Sequence, residues 1–190
     1  MVNYPNKKNI RPIAMTIDGK HNTAHRGMNL EEDLNLTNQY YLAKDIAVIH
    51  KKPTPIQIVR VDYPERSSAK IVEAYFRTPS TTDYNGIYKG KYIDFEAKET
   101  KTKSFPFSNI SIHQINHLES IQKHGGIAFL IIAFTSLNEV YFIDASYMIE
   151  AYKKGNRKSM KYETIRNYGH LIQQGYMPRL HYLKIIDNYY

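Results

Sequence analysis

Hydrophobic residues follow a helical period in two parts of the chain. In the first, apolar positions recur from Leu30 to Tyr41. The preceding residue, Asn29, is of a type that favours a helix N-cap, and an acid follows it three positions later. This pattern predicts a first helix that ends at about Lys44. In the second, the spacing over residues 111–123 predicts another helix, which the following pair of glycines would end.

Short β-branched and aromatic runs lie between and after these helices, which is typical of strands. The predicted strands cover residues 46–49, 56–61, 71–76, a hairpin over 81–98, 127–134 and 140–143. Further helices are predicted from about residues 145 and 180, with a basic loop over 153–161. Interleaved strands and helices predict the α/β class, with a mixed central β-sheet flanked by helices.

Length and composition limit the class of protein. A chain of 190 residues favours one domain, and we expect a basic N-terminal arm over residues 1–25 followed by a single domain over 26–190. The absence of cysteine excludes disulfide scaffolds, thiolate metal sites and cysteine nucleophiles. The longest apolar run, 127–134, is too short for a membrane helix, and residues 1–12 lack a secretory pattern, so we expect a cytoplasmic protein.

The net charge of +8 comes from 26 Lys and Arg residues against 18 Asp and Glu residues. The excess is concentrated in residues 1–30, 51–80 and 151–190, whereas residues 31–50 and 111–150 are acidic. This distribution favours a polyanionic partner that contacts several basic segments. The alternative is that the charge only maintains solubility.

The stretch from Ile93 to Lys98 combines a strand pattern with ionisable side chains. Because side chains alternate between the two faces of a strand, Asp94, Glu96 and Lys98 share one face. Ile93 and the other apolar residues occupy the opposite face. Acids and a lysine on a strand of the predicted core indicate a solvated cleft.

A two-residue turn at Lys89-Gly90 would place Asp83 directly opposite Glu96. Two neighbouring carboxylates repel each other unless a cation lies between them, and Mg²⁺ prefers such oxygen ligands. With Lys98 beside them, the group is suited to phosphodiester hydrolysis. Two alternatives stay open at this point, a competing turn at Asn85-Gly86 and a surface ladder of salt bridges.

Several stretches resemble one nuclease family. Asp83 with Glu96-Ala97-Lys98 fits the PD-(D/E)xK nuclease superfamily. The longer stretches at residues 26–28 (RGM), 46–55 (IAVIHKKPTP), 73–76 (EAYF) and 80–100 (STTDYNGIYKGKYIDFEAKET) resemble the RecU family of Holliday junction resolvases. The resemblance runs from Arg26 to the C-terminus and loosens after about Tyr152.

The resemblance implies a fold, an activity and partners. Members share a restriction-endonuclease-like core with a protruding β-hairpin stalk, which corresponds to about residues 51–80 here. They act as homodimers that nick two opposed strands of a four-way DNA junction with Mg²⁺, for which Mn²⁺ can substitute. The family is also implicated in restraining the RecA recombinase.

The resemblance also implies site residues. The family's metal ligands correspond to Thr81, Asp83, Glu96 and Gln114, and its transition-state lysine corresponds to Lys98. For Gln114 the sequence offers a second interpretation, because Ser111 and Gln114 have the spacing of a capping box.

The remaining candidates lie outside that set. Glu31 is a possible additional acid near the metal, although an acid in the first turn of a helix also stabilises the helix dipole. Candidate DNA contacts are Arg26, Lys52, Arg77 and Phe76, with Tyr75 or Phe76 stacking on an unpaired base while the other packs. His113 and His117 are expected on a helix surface.

Two other functions are compatible with the same residues. One is a restriction-type nuclease on duplex DNA, for which a stalk is unnecessary. The other is a non-catalytic DNA-binding module that regulates the recombinase, for which Asp83 and Lys98 would be dispensable.

Overall fold

The computed structural model describes residues 29–64, 69–77 and 81–190. The predicted arm 1–25 and Arg26 lie outside these residues. The helices are α1 (Leu30–Ala43), α2 (Ile112–Lys123), α3 (Ala145–Lys153), α4 (Tyr162–Tyr168) and α5 (Leu183–Tyr189), with one 3₁₀ turn at Phe107–Asn109. The strands are β1 (Val48–Lys51), β2 (Ile56–Asp62), β3 (Lys70–Phe76), β4 (Tyr84–Tyr88), β5 (Lys91–Thr100), β6 (Ser104–Pro106), β7 (Ile127–Phe134), β8 (Glu139–Asp144), β9 (Ser159–Lys161) and β10 (His170–Leu171).

A six-stranded sheet in the order β1-β4-β5-β7-β8-β10 forms the centre of the protein. Strands β5 and β7 are parallel and the other pairs are antiparallel, so the predicted mixed sheet is confirmed. The chain between β5 and β7 carries α2, which crosses one face of the sheet, as a parallel connection requires. Among the described residues, no helix is long and apolar enough to span a membrane.

Each face of the sheet has its own hydrophobic core. One core joins α1 and α5 to the face that carries Ile93 and Phe95, where Phe95 stacks between Tyr84 and Phe129. The other joins α2, α3 and α4 to the face that carries Leu130. Because both faces are covered, β7 is buried along its whole length, which explains its unbroken apolar sequence.

The hairpin of β4 and β5 has the predicted register. Lys89 and Gly90 both have positive φ angles, 48° and 77°, and form the two-residue turn. The pairs run from Tyr88 with Lys91 to Tyr84 with Phe95, which excludes the alternative turn at Asn85-Gly86. Gly86 lies inside β4, where an added Cβ would come within 2.1 Å of the Val48 carbonyl oxygen on β1.

Strands β2 and β3 form a separate two-stranded ribbon, here called the stalk. Nearly every side chain of both strands is exposed. The ribbon begins after Pro53-Thr54-Pro55 and closes where the Arg77 N–H donates to the Pro55 carbonyl at 3.0 Å. The predicted projection is therefore present, and residues 52–55 connect β1 to its first strand.

Three predicted boundaries differ from the structure. Strand β1 begins at Val48 rather than Ile46, because Asp45 adopts a φ of 55° and the Ile46 N–H donates to the Tyr41 carbonyl of the last turn of α1. The last helix begins at Leu183 rather than Leu180, whose N–H is bound by Thr37 Oγ1 at 2.9 Å. The predicted basic loop 153–161 contains β9. The sequence did not predict α4, β6 or β10, because each is too short to show a hydrophobic period.

Candidate active site

Strand β5 places Asp94, Glu96 and Lys98 on the face covered by α2, as alternation predicts. Glu96 has no exposed surface. Its Oε1 accepts hydrogen bonds from Gln114 Nε2 at 2.7 Å and from Lys98 Nζ at 2.5 Å. Within the described part of the chain, its Oε2 is buried and has no hydrogen-bond partner.

The pKa of Glu96 is raised from 4.5 to about 7. Burial is the largest cause, because it removes water from the charged carboxylate, and repulsion from Asp83 raises the pKa further. The Lys98 ammonium acts in the opposite direction. A carboxylate in this environment binds either a proton or a cation near neutral pH.

Asp83 lies immediately before β4, one position beyond the last pair of the hairpin, Tyr84 with Phe95. Extending that register puts Asp83 opposite Glu96, as the sequence predicted. Asp83 Oδ2 accepts a hydrogen bond from the Ala97 N–H at 3.2 Å, which fixes its carboxylate beside β5.

Gln114 has the capping role that the sequence suggested, and its role as a metal ligand stays a prediction. It forms a capping box with Ser111, in which Ser111 Oγ accepts from the Gln114 N–H and Gln114 Oε1 accepts from the Ser111 N–H. Its Oε1 is thereby directed to the helix cap and its Nε2 to Glu96. The cap therefore positions the amide that contacts the carboxylate.

The donor set fits a hard divalent cation. Glu96 supplies a buried oxygen without a partner, and Asp83 supplies a second carboxylate close enough to raise the pKa of Glu96. Such oxygens are the ligands that Mg²⁺ takes in proteins. Among the described residues no group of three or more His, Cys, Asp or Glu side chains could hold a metal, so protein ligands beyond these two acids would be of other types.

Asp94 is not open to a metal in this arrangement. It is fully buried, and its Oδ2 accepts from Lys52 Nζ at 2.8 Å, Tyr92 OH at 2.9 Å and His117 Nε2 at 3.2 Å. Its Oδ1 accepts from Thr82 Oγ1. The acid predicted on the same face as Glu96 is therefore surrounded by donors from the protein itself.

Two further candidates lie around Asp83. Glu31 forms an ion pair with Lys51, and it lines a cavity together with Asp83 and Glu99. Thr81 is half-buried and lies two residues before Asp83, whereas its neighbour Thr82 is buried against Asp94. The structure thus brings Glu31 near Asp83, and the metal-binding role of Thr81 stays a prediction.

The predicted DNA contacts have different environments. Phe76 and Tyr75 on the stalk are 83% and 62% exposed, so the expectation that one of them packs is wrong. Arg77 at the stalk base is exposed and donates to Gln57 Oε1 at 3.2 Å. Lys52 points inward to Asp94, with 17% of its side chain exposed.

His117 corrects the prediction that both helix histidines lie on the surface. His113 is exposed, but His117 is half-buried and contacts Asp94. His117 lies three residues after Gln114, so both face β5 from one side of α2. The i, i+3 spacing from Gln114 was the signal that could have identified it.

Comparison with known proteins identifies a family. The sequence model described as "RecU: Recombination protein U" matches residues 25–188. A protein of Geobacillus sp. (strain WCH70) is 56% identical over 187 residues, covering 96% of this chain and 90% of its own. One from Geobacillus kaustophilus is 59% identical over 171 residues (88% and 86%), and one from Bacillus thuringiensis is 52% identical over 196 residues (100% and 98%). All three are named Holliday junction resolvase RecU.

A solved structure with a similar arrangement is that of Archaeoglobus fulgidus Hjc, described as a Holliday junction resolvase. It is 12% identical, covers 75% of this chain and 93% of its own, and has a TM-score of 0.45.

Proposed function

The chain belongs to the RecU family, and from this membership we propose that it is a metal-dependent endonuclease that resolves four-way DNA junctions by paired nicks during recombination and repair. The observation that carries the proposal is the cluster of the buried Glu96 with the half-buried Asp83 and Lys98. Its geometry supports phosphodiester hydrolysis, and the names of relatives at 52–59% identity support the junction as substrate.

Mg²⁺ is the proposed metal, with Mn²⁺ as a substitute, and Asp83 and Glu96 would hold it, with Thr81 and Gln114 as further contacts. When bound, a divalent ion neutralises charge at the scissile phosphate and lowers the pKa of a bound water. Carboxylate ligands and a nearby lysine suit Mg²⁺ or Mn²⁺ better than softer metals.

Lys98 would stabilise the charge that develops on the phosphate. Its ammonium is held at Glu96 and 26% of the side chain is exposed, so it lies between the buried carboxylate and the open side of the site. A positioned cation at this place lowers the energy of the negatively charged transition state. Gln114 would keep Glu96 in place through its capped amide.

The stalk would supply selectivity for branched DNA. Its exposed aromatic residues Tyr75 and Phe76 could stack on bases that are unpaired at a branch point, as aromatic side chains do in single-strand binding. Arg77, and Arg26 outside the described residues, are proposed phosphate contacts.

A homodimer is proposed because a four-way junction is nearly two-fold symmetric and needs two cuts. An apolar pair supports an interface at edge strand β1, where Val48 lies opposite Ile87 and the two are 48% and 58% exposed. Ile87→Glu should yield monomers in analytical ultracentrifugation. Leu171→Glu, at an equally exposed apolar residue on β10 at the opposite sheet edge, should not.

Two further features follow from family resemblance alone. We propose a contact with RecA, to be tested by co-sedimentation of this protein with RecA filaments. We also propose that the protein acts in the cytoplasm, where the chromosome is, which fluorescence microscopy of a tagged chain would test.

The main experiment compares nicking of a synthetic four-way junction with nicking of a duplex of matched sequence, with and without Mg²⁺. We expect Mg²⁺-dependent, symmetrical nicks in the junction only, and loss of nicking in Asp83→Asn and Lys98→Met. Lys153→Met is the matched control, because Lys153 on α3 pairs with Glu119, and this exposed ion pair involves none of the candidate site residues. Equal cutting of both DNAs would exclude a resolvase.

The same assay separates the rival functions. Deletion of residues 56–76 should abolish junction cutting, whereas a restriction-type enzyme would keep its duplex activity. A non-catalytic module would be unaffected by Asp83→Asn in its DNA binding and would show no nicking at all.

A further inference from the structure

Lys52 occupies the connection between the nuclease core and the stalk. It follows the last residue of β1 and precedes Pro53-Thr54-Pro55, which leads into β2. Its backbone N–H donates to the Asp83 carbonyl at 2.7 Å. The connection to the stalk is thus hydrogen-bonded to Asp83, a candidate metal ligand.

The side chain of Lys52 makes a second connection to the same site. Its ammonium donates to Asp94 Oδ2 and Thr82 Oγ1, both at 2.8 Å. Asp94 lies two residues from Glu96 on one face of β5, and Thr82 directly precedes Asp83. Lys52 therefore contacts a residue close in sequence to each of the two candidate ligands.

This geometry argues against Lys52 as a DNA contact. Asp94 is fully buried, and it would lose its main cationic partner if the ammonium turned to a phosphate. A buried carboxylate that loses its ammonium partner is destabilised, even where other donors remain. We therefore expect the contact with Asp94 to persist when DNA binds.

Within the described residues, few other contacts fix the orientation of the stalk. Its side chains are exposed along both strands, so the described ribbon does not pack into either hydrophobic core. The two prolines after Lys52 restrict φ and stiffen the connection. Through this connection, a movement of the start of β2 reaches Lys52 within four residues. Buried ion pairs are best known for fixing one arrangement rather than for adding stability.

We propose that Lys52 is a positioning residue that couples the stalk to the cleavage site, so that the orientation of the stalk in branched DNA sets the position of Asp83. The inference rests on the proposed resolvase function and deepens it. Selectivity for junctions then arises partly from the rate of the chemical step. The contact of Lys52 with Asp94 connects the stalk to the cleavage site.

The test measures binding and cleavage separately in Lys52→Met. Junction affinity is measured without divalent metal, and the rate of nicking is measured in single turnovers at saturating protein and Mg²⁺. We expect an unchanged Kd and a nicking rate lower by about 10- to 100-fold, as for a displacement of about 1 Å at a reacting centre. Lys153→Met should match the wild type in both measurements.

A neutral pair distinguishes positioning from simple stabilisation. Lys52→Met combined with Asp94→Asn removes the unpaired buried charge, so its melting temperature should return toward that of the wild type. The nicking rate should stay low, because the link to Asp94 is absent. This variant carries no unpaired charge, so its nicking rate tests the inference even if Lys52→Met alone does not fold.

Three results would overturn the inference. An unchanged nicking rate in Lys52→Met excludes coupling, and recovery of the rate in the neutral pair reduces Lys52 to a structural role. Weaker binding of the junction with a normal nicking rate at saturation would identify Lys52 as a phosphate contact. In that case the slope of log affinity against log salt concentration should be smaller by about one. Failure of the wild type to nick the junction would instead refute the proposed function itself.

Discussion

Replacing Glu96 by Gln should stabilise the metal-free protein at pH 8 while it abolishes cleavage. Glu96 is fully buried, one of its oxygens has no hydrogen-bond partner in the described residues, and its pKa is raised to about 7. Glutamine keeps the shape and the oxygen that Gln114 and Lys98 contact. It removes only the negative charge that burial and Asp83 disfavour.

The magnitude follows from proton linkage. A rise in pKa from 4.5 to about 7 corresponds to about 3 kcal/mol, because each pKa unit equals 1.36 kcal/mol. Since the folded state holds the proton more tightly, the stabilisation is complete below about pH 4.5 and is lost as pH rises through about 7. The variant should therefore equal the wild type at pH 4 and exceed it by about 3 kcal/mol at pH 8.

Urea unfolding in the presence of a chelator, at several pH values, measures this difference. Added Mg²⁺ at about 100 times its Kd should restore about 2.7 kcal/mol to the wild type, and much less to Glu96→Gln. Glu119→Gln is the control, since Glu119 pairs with Lys123 and Lys153 away from the site. A difference between wild type and variant that does not change with pH would refute the argument.

Four further substitutions test the fold and the site. Gly86→Ala should destabilise the protein by more than about 2 kcal/mol in urea unfolding, because the new Cβ meets the β1 backbone. Gly90→Ala should cost about 1–2 kcal/mol, because Gly90 lies in open space but has a φ of 77°. Gln114→Ala should lower the free energy of unfolding by about 1 kcal/mol through the lost cap, and it should also lower the nicking rate. A normal nicking rate would show that Gln114 has no role in cleavage. Phe76→Ala should weaken junction binding by about 1–3 kcal/mol in a fluorescence titration and leave the melting temperature unchanged, and an altered melting temperature would mean that Phe76 packs after all.

Local rules account for the parts of the site that the sequence predicted correctly. The turn at Lys89-Gly90 determined the register of the hairpin, and that register placed Asp83 opposite Glu96. The capping box of Ser111 likewise placed the start of α2, and with it Gln114. In both cases a few neighbouring residues decide the geometry, so the sequence is sufficient.

The parts that were missed depend on distant contacts. Lys52 is 42 residues from Asp94 and His117 is 23 residues from it, so no local pattern joins them. A lysine beside a basic hairpin is equally compatible with DNA binding and with an inward ion pair until the sheet order is known. The start of β1 was misplaced because one residue, Asp45, turns the chain with a positive φ.

The exposed stalk also has a consequence for handling and storage of the protein. Ile58, Val59, Ile71 and Val72 are each 50–52% exposed on a ribbon whose edges are not covered by the described core. Unpaired strand edges with β-branched side chains are templates for aggregation, and nearby charges such as Arg60 and Lys70 counteract it. The protein should therefore lose solubility as salt screens those charges, and branched DNA that covers the ribbon should act as a solubilising ligand as well as a substrate.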